Sequence, residues 1–62
     1  MDRELTQFLE NINKDYYKKT SNRLLLREFN GIWYVCELVP LGERTLSSGS
    51  LAECKQFINN LV

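Results

Sequence analysis

The chain contains no histidine, only two cysteines, one proline and three glycines, and its eight acidic residues balance eight basic ones over 62 positions. Each shortage excludes something. Without histidine, a serine or cysteine nucleophile has no imidazole base, and the nitrogen ligands of a structural zinc site are missing. Cys36 and Cys54 stand 18 positions apart with no second pair, so no thiolate ligand set forms within one chain, and neither a metal nor a cofactor is expected. No run approaches the ~18 apolar residues of a membrane span. The amino terminus MDRELTQFLEN has no basic region followed by an apolar core. The expectation is a cytoplasmic protein whose two cysteines are reduced, buried, small hydrophobes. A net charge of zero supplies no global field toward nucleic acid or membrane. A chain of this length is one domain, 1–62, and buries only about 60% of the surface that its unfolded form exposes, which makes its stability marginal.

Hydropathy periods divide the chain into five elements. Leu5, Phe8, Leu9, Ile12 and Tyr16 recur at helical spacing and predict a helix over 3–18 with one buried stripe. Its outer face carries Glu10 with Lys14 and Asp15 with Lys19, pairs spaced to form i,i+4 bridges, and Lys18 and Lys19 sit where cations favour a helix carboxyl end. Two β-rich runs, 23–29 and 32–39, flank Asn30-Gly31, which supplies the two positive φ values of a type I′ hairpin. That turn fixes the register, so Phe29 faces Ile32, Glu28 faces Trp33, Arg27 faces Tyr34, Leu26 faces Val35, Leu25 faces Cys36 and Leu24 faces Glu37. Taking Leu41-Gly42 as a second tight turn leads to a short strand over 44–48, with Val39 opposite Arg44 and Glu37 opposite Leu46. Ser50 and Glu53 form a capping box that starts a helix over 51–61, with Leu51, Cys54, Phe57, Ile58 and Leu61 as its buried stripe. The predicted class is α+β: α-β-β-β-α, a three-stranded antiparallel sheet with two helices on one face.

These registers sort the sheet residues into two sets. One carries Leu24, Leu26, Trp33, Val35, Val39 and Leu46, with Glu28, Glu37, Arg44 and Ser48 toward its margins. The other carries Leu25, Phe29, Ile32, Tyr34, Cys36 and Leu38, with Arg23, Arg27, Thr45 and Ser47. Two short helices offer about ten apolar side chains, enough to cover one face, and the Trp33 set is the expected core. The second face is then an uncovered apolar area of the kind that marks interaction sites. Phe29, Ile32, Tyr34, Leu25, Leu38 and Arg27 are its candidate protein-binding residues, with a larger protein or a second copy as partner. Glu28 and Glu37, the acids placed to move protons, meet no nucleophile across the strands, and catalysis is not expected.

A second candidate is the basic segment KDYYKKTSNRLLLR. Lys14, Lys18, Lys19, Arg23 and Arg27 interleave with tyrosines there, the pattern of a surface that meets phosphates and stacks bases. The element order resembles that of double-stranded RNA-binding domains, with SSGSLAECKQFI where those domains begin their second helix. The family's lysine-rich helix start is replaced here by Glu53 and Lys55. In its short length, its GIWYV hairpin and its GSLAEC cap, the chain also resembles small accessory proteins of bacteriophages and mobile elements. That resemblance implies a stoichiometric inhibitor or adaptor acting on a host machine in a bacterial cell.

Overall fold

A computed structural model describes residues 3–61 and orders them as helix, three strands and helix. Helix α1 spans Arg3–Thr20, strands β1, β2 and β3 span Arg23–Phe29, Ile32–Val39 and Gly42–Gly49, and helix α2 spans Leu51–Leu61. The sheet is antiparallel in the order β1-β2-β3. α1 runs two residues past its expected end at 18. It stops where Ser21 takes φ 62°, the left-handed conformation of a helix C′ position. The Thr20 hydroxyl completes the cap by donating to the Tyr16 carbonyl at 2.8 Å and accepting from the Asn22 amide at 3.0 Å. α2 begins at the expected place with both capping-box bonds formed, the Glu53 amide to the Ser50 hydroxyl at 3.1 Å and the Ser50 amide to the Glu53 carboxylate at 3.0 Å. These bonds hold the Glu53 carboxyl below its ordinary range.

Both helices lie against the Trp33 face. Tyr16 of α1, Cys54 and Ile58 of α2, and Leu24 and Val35 of the sheet form the buried cluster, and Phe8, Leu9, Ile12, Leu26, Trp33, Leu46, Phe57 and Leu61 close around it. Hydrophobic burial holds the two layers together, at about 1.5–3 kcal/mol for each fully buried aliphatic side chain. Between the helices, the Lys55 ammonium sits 5.4 Å from the Phe8 ring centroid, a cation–π contact.

The first hairpin has the predicted register, with Asn30 at φ 52° and Gly31 at φ 80°. The second does not. Its turn lies at Pro40-Leu41, pairing Val39 with Gly42 and Glu37 with Arg44, and β3 starts at 42 where 44 was expected. The physical reason is proline's fixed φ, which suits the first central position of a turn, while Gly42 absorbs the positive φ of 145° just after it. β3 then bulges between its pairings to Cys36 and Val35, where Leu46 is the extra residue. The bulge inverts the alternation, so Ser47 comes to the helix side opposite Val35 and Ser48 to the outer side opposite Tyr34, the reverse of the expected placement. Gly49 ends the strand at φ 148° with Glu53 folded against it. A Cβ there would lie 3.1 Å from the carboxylate.

The corrected register changes the role of Glu37. Expected near the margin and opposite Leu46, it is 2% exposed and sits opposite Arg44. Its Oε2 accepts from the Tyr16 hydroxyl at 2.8 Å and from the Asn22 amide at 3.0 Å, while Oε1 accepts from the Arg44 guanidinium at 2.8–2.9 Å. One carboxylate thereby joins α1, the α1–β1 connection and both strands of the second hairpin. The bonds from Tyr16 and then Asn22 keep its pKa below the ordinary value despite burial. Burial, followed by the same carboxylate, raises that of Tyr16.

A second polar clasp fixes α1 against the sheet. The Asn13 side chain accepts from the Leu24 amide at 2.7 Å and donates to the Leu24 carbonyl at 3.1 Å. On an edge strand these two groups face away from β2, and the carboxamide replaces the strand that is absent there.

Candidate functional site

The face opposite the helices has no covering element among the described residues. At the hairpin end, Phe29 and Ile32 stand as a cross-strand pair, 67% and 46% exposed, and at the opposite end Leu38 is 38% exposed. Leu25 and Tyr34 between them are half-buried by their neighbours. All five predicted apolar residues therefore share one surface, which β-strand alternation dictates once Asn30-Gly31 has set the pairing.

Arg27 belongs to the same face but is already engaged. Its Nε and Nη2 donate to the two oxygens of Glu43 at 2.8 Å each, a bidentate pair. Arg27 is on β1 opposite Tyr34 and Glu43 on β3 opposite Leu38, so the pair crosses β2 above Cys36. Cys36 is 4% exposed as a result, although no helix lies over it. Its sulfur is 3.9 Å from the Thr45 hydroxyl. Glu43, receiving the guanidinium bonds first of all, is held below its ordinary pKa. The surface thus has an apolar end built on Phe29 and Ile32, a polar belt across its middle, and Leu38 beyond the belt.

Both cysteines are free and buried. They lie on opposite faces of the sheet, Cys36 under the Arg27–Glu43 belt and Cys54 in the core, where its thiol donates to the Trp33 carbonyl at 3.5 Å. Burial pushes the Cys54 thiol above its usual range.

The basic segment divides in three dimensions. Lys14, Lys18 and Arg23 line one groove of about 880 Å³ between α1 and the start of β1, together with Glu10, Asn13 and Tyr17. Lys19 is not among the residues lining the groove, and Arg27 is paired with Glu43 on the sheet. The helical pairs expected from spacing, Glu10 with Lys14 and Asp15 with Lys19, are not formed, since the ion pairs among the described residues are Arg27–Glu43 and Arg44–Glu37. Exposed i,i+4 pairs gain only a few tenths of a kcal/mol, too little to hold two long solvated side chains in one geometry.

Two features escaped the sequence reading. The belt and the buried carboxylate both join residues brought together by β3, so a shift of two residues at Pro40-Leu41 hid Arg44 from Glu37 and Glu43 from Arg27. A charged residue inside the apolar run IWYVCELV was the available signal. Compared with known protein families, with curated proteins and with solved structures, the chain matches none.

Proposed function

We propose that the protein is a small non-catalytic interaction module. It docks a larger protein, or a second copy of itself, on the uncovered sheet face and acts stoichiometrically as an inhibitor or adaptor. The observation that carries this reading is the joint exposure of Phe29, Ile32 and Leu38 on the face that no helix covers. Large apolar side chains grouped on one uncovered face mark interaction sites, here Phe29 with Ile32 at one end of the face and Leu38 across the polar belt. The composition of the surface supports the same reading. Two aromatic residues, Phe29 and Tyr34, share this face with an arginine already oriented by its acid partner, and aromatic residues and arginine are the types that dominate binding energy at protein interfaces. Partner binding also adds to the apparent stability of a domain with so small a core.

The test replaces Ile32 and Tyr34 together by serine and threonine. Complex formation or self-association, followed by sizing and by capture from nuclease-treated bacterial lysate, is expected to fall to background while the helical circular dichroism signal stays intact. Retained association in a folded double variant overturns the assignment of this face.

A further inference from the structure

Helix α1 has two working faces, and only one belongs to the core. Glu10, Asn13, Lys14, Tyr17 and Lys18 recur at i, i+3, i+4, i+7 and i+8, which makes a second stripe along the helix. The Asn13 clasp on Leu24 draws that stripe against the edge of β1 and brings Arg23 to it. Three cations therefore converge on one groove against a single acid, Glu10, and neither ion pair among the described residues involves any of them. Within the groove Tyr17 is 54% exposed, an aromatic face offered to solvent amid positive charge.

We propose that this groove binds single-stranded nucleic acid without sequence preference, at a site separate from the sheet face. Lys14 and Lys18, four residues or about 6 Å apart along the helix, meet successive backbone phosphates, and Arg23 meets the next from the strand side. A base stacks on Tyr17, which requires an unpaired base with a free π-face and so selects single strands over duplex. The Asn13 carboxamide is already committed to Leu24, which leaves no amide in the groove to read base edges. The groove is partly open to solvent, so it accommodates a passing strand and does not enclose a free nucleotide, which a small-molecule site would bury on most sides. Among partners that could satisfy the cations, an acidic protein segment leaves Tyr17 unused.

The test is fluorescence anisotropy of the full chain with a fluorescein-labelled dodecathymidylate at about 50 mM salt, repeated at rising salt. Saturable binding is expected, with log affinity falling against log salt at a slope of about −2, from roughly 0.7 for each of three cations on a single strand. Lys14→Gln with Lys18→Gln reduces that slope to about −0.7. Tyr17→Ala weakens binding by about fivefold or more without changing the slope, and Tyr17→Phe restores it. These positions are exposed, and circular dichroism confirms that each variant is folded. The proposal is overturned by absence of binding at low salt, by a double lysine variant that binds with unchanged slope, or by equal binding of duplex with no effect at Tyr17. Displacement of the oligonucleotide by polyglutamate at equal charge also overturns it, in favour of an acidic protein.

Discussion

Replacing Glu37 by glutamine tests whether the buried carboxylate organises the fold. Glutamine keeps the shape but presents an amide nitrogen where one oxygen stood. Arg44 is the partner that yields, because its side chain is 66% exposed and can swing into water, whereas Tyr16 is only 7% exposed. The bonds from Tyr16 and Asn22 survive as neutral bonds and each loses about 1 kcal/mol of charge assistance, while the lost pairing with Arg44 costs about 0.2–1 kcal/mol more. The expected destabilisation is about 2–3 kcal/mol, a large share of the roughly 3–9 kcal/mol available to a domain of this size. It corresponds to a fall in melting temperature on the order of 10–20 °C. Glu37→Ala is worse, since it leaves the Tyr16 hydroxyl buried without a partner.

The pH dependence of this difference has a definite sign. The folded pKa of Glu37 lies below its ordinary value of 4.5, so its contribution is fully present above that value and disappears as pH falls through the folded pKa. The gap between wild type and Glu37→Gln, measured by urea denaturation from neutral pH into the acid range, is expected to be widest near neutrality and to narrow as the pH falls through the folded pKa. Glu43 and Glu53, also depressed, remain in both proteins and cancel from the comparison. Equal stability of the two proteins at neutral pH, or a gap that does not change with pH, refutes the reasoning.

Asn13→Ala removes both bonds to the Leu24 backbone, with an expected cost of about 1–3 kcal/mol and an acceleration of hydrogen exchange at the Leu24 amide that the β1 amides bonded to β2 do not share. Arg27→Ala opens the belt above Cys36 and is expected to raise the labelling rate of that thiol in the folded protein, while Cys54 reacts only on unfolding; mass-resolved alkylation separates the two sites. Ser50→Ala removes the α2 cap and lowers stability by about 1 kcal/mol in thermal or urea melts. Gly49→Ala also destabilises, because its backbone is left-handed and its Cβ meets Glu53.

The parts of the fold that were legible in the chain are those governed by local rules. The spacing of Phe8, Leu9, Ile12 and Tyr16 gave the stripe by which α1 meets the core, Leu5 lying outside that cluster, and Asn30-Gly31 gave the β1–β2 register residue by residue. Ser50 and Glu53 marked the first turn of α2. The β2–β3 register was not legible in the same way, because PLGE admits two turns and β3, with its serines and threonine, lacks the apolar alternation that would choose between them. The bulge at Leu46 then inverted the faces of Ser47 and Ser48, an event with no local signature. Everything that depends on β3, from the Glu37 cluster to the belt over Cys36, followed that uncertainty. The grouping of Lys14, Lys18 and Arg23 depended instead on Asn13 reaching an edge strand eleven residues away, a contact set by tertiary packing.

The Asn13 clasp also bears on open-ended aggregation. A free strand edge templates the next chain, and each addition presents a new edge. Here the outward groups of Leu24 are occupied, which by alternation leaves those of Leu26 and Glu28. Antiparallel self-pairing of that remainder sets Arg27 directly opposite its own copy, an arrangement that like charge disfavours. On the far edge the bulge at Leu46 interrupts the ladder. Growth along either edge therefore stalls. Docking on the proposed sheet face would differ, because contact would cover the surface that drove it and leave none to recruit another molecule. If the proposed face is used for docking, the guarded edges thereby favour complexes of fixed size over fibres.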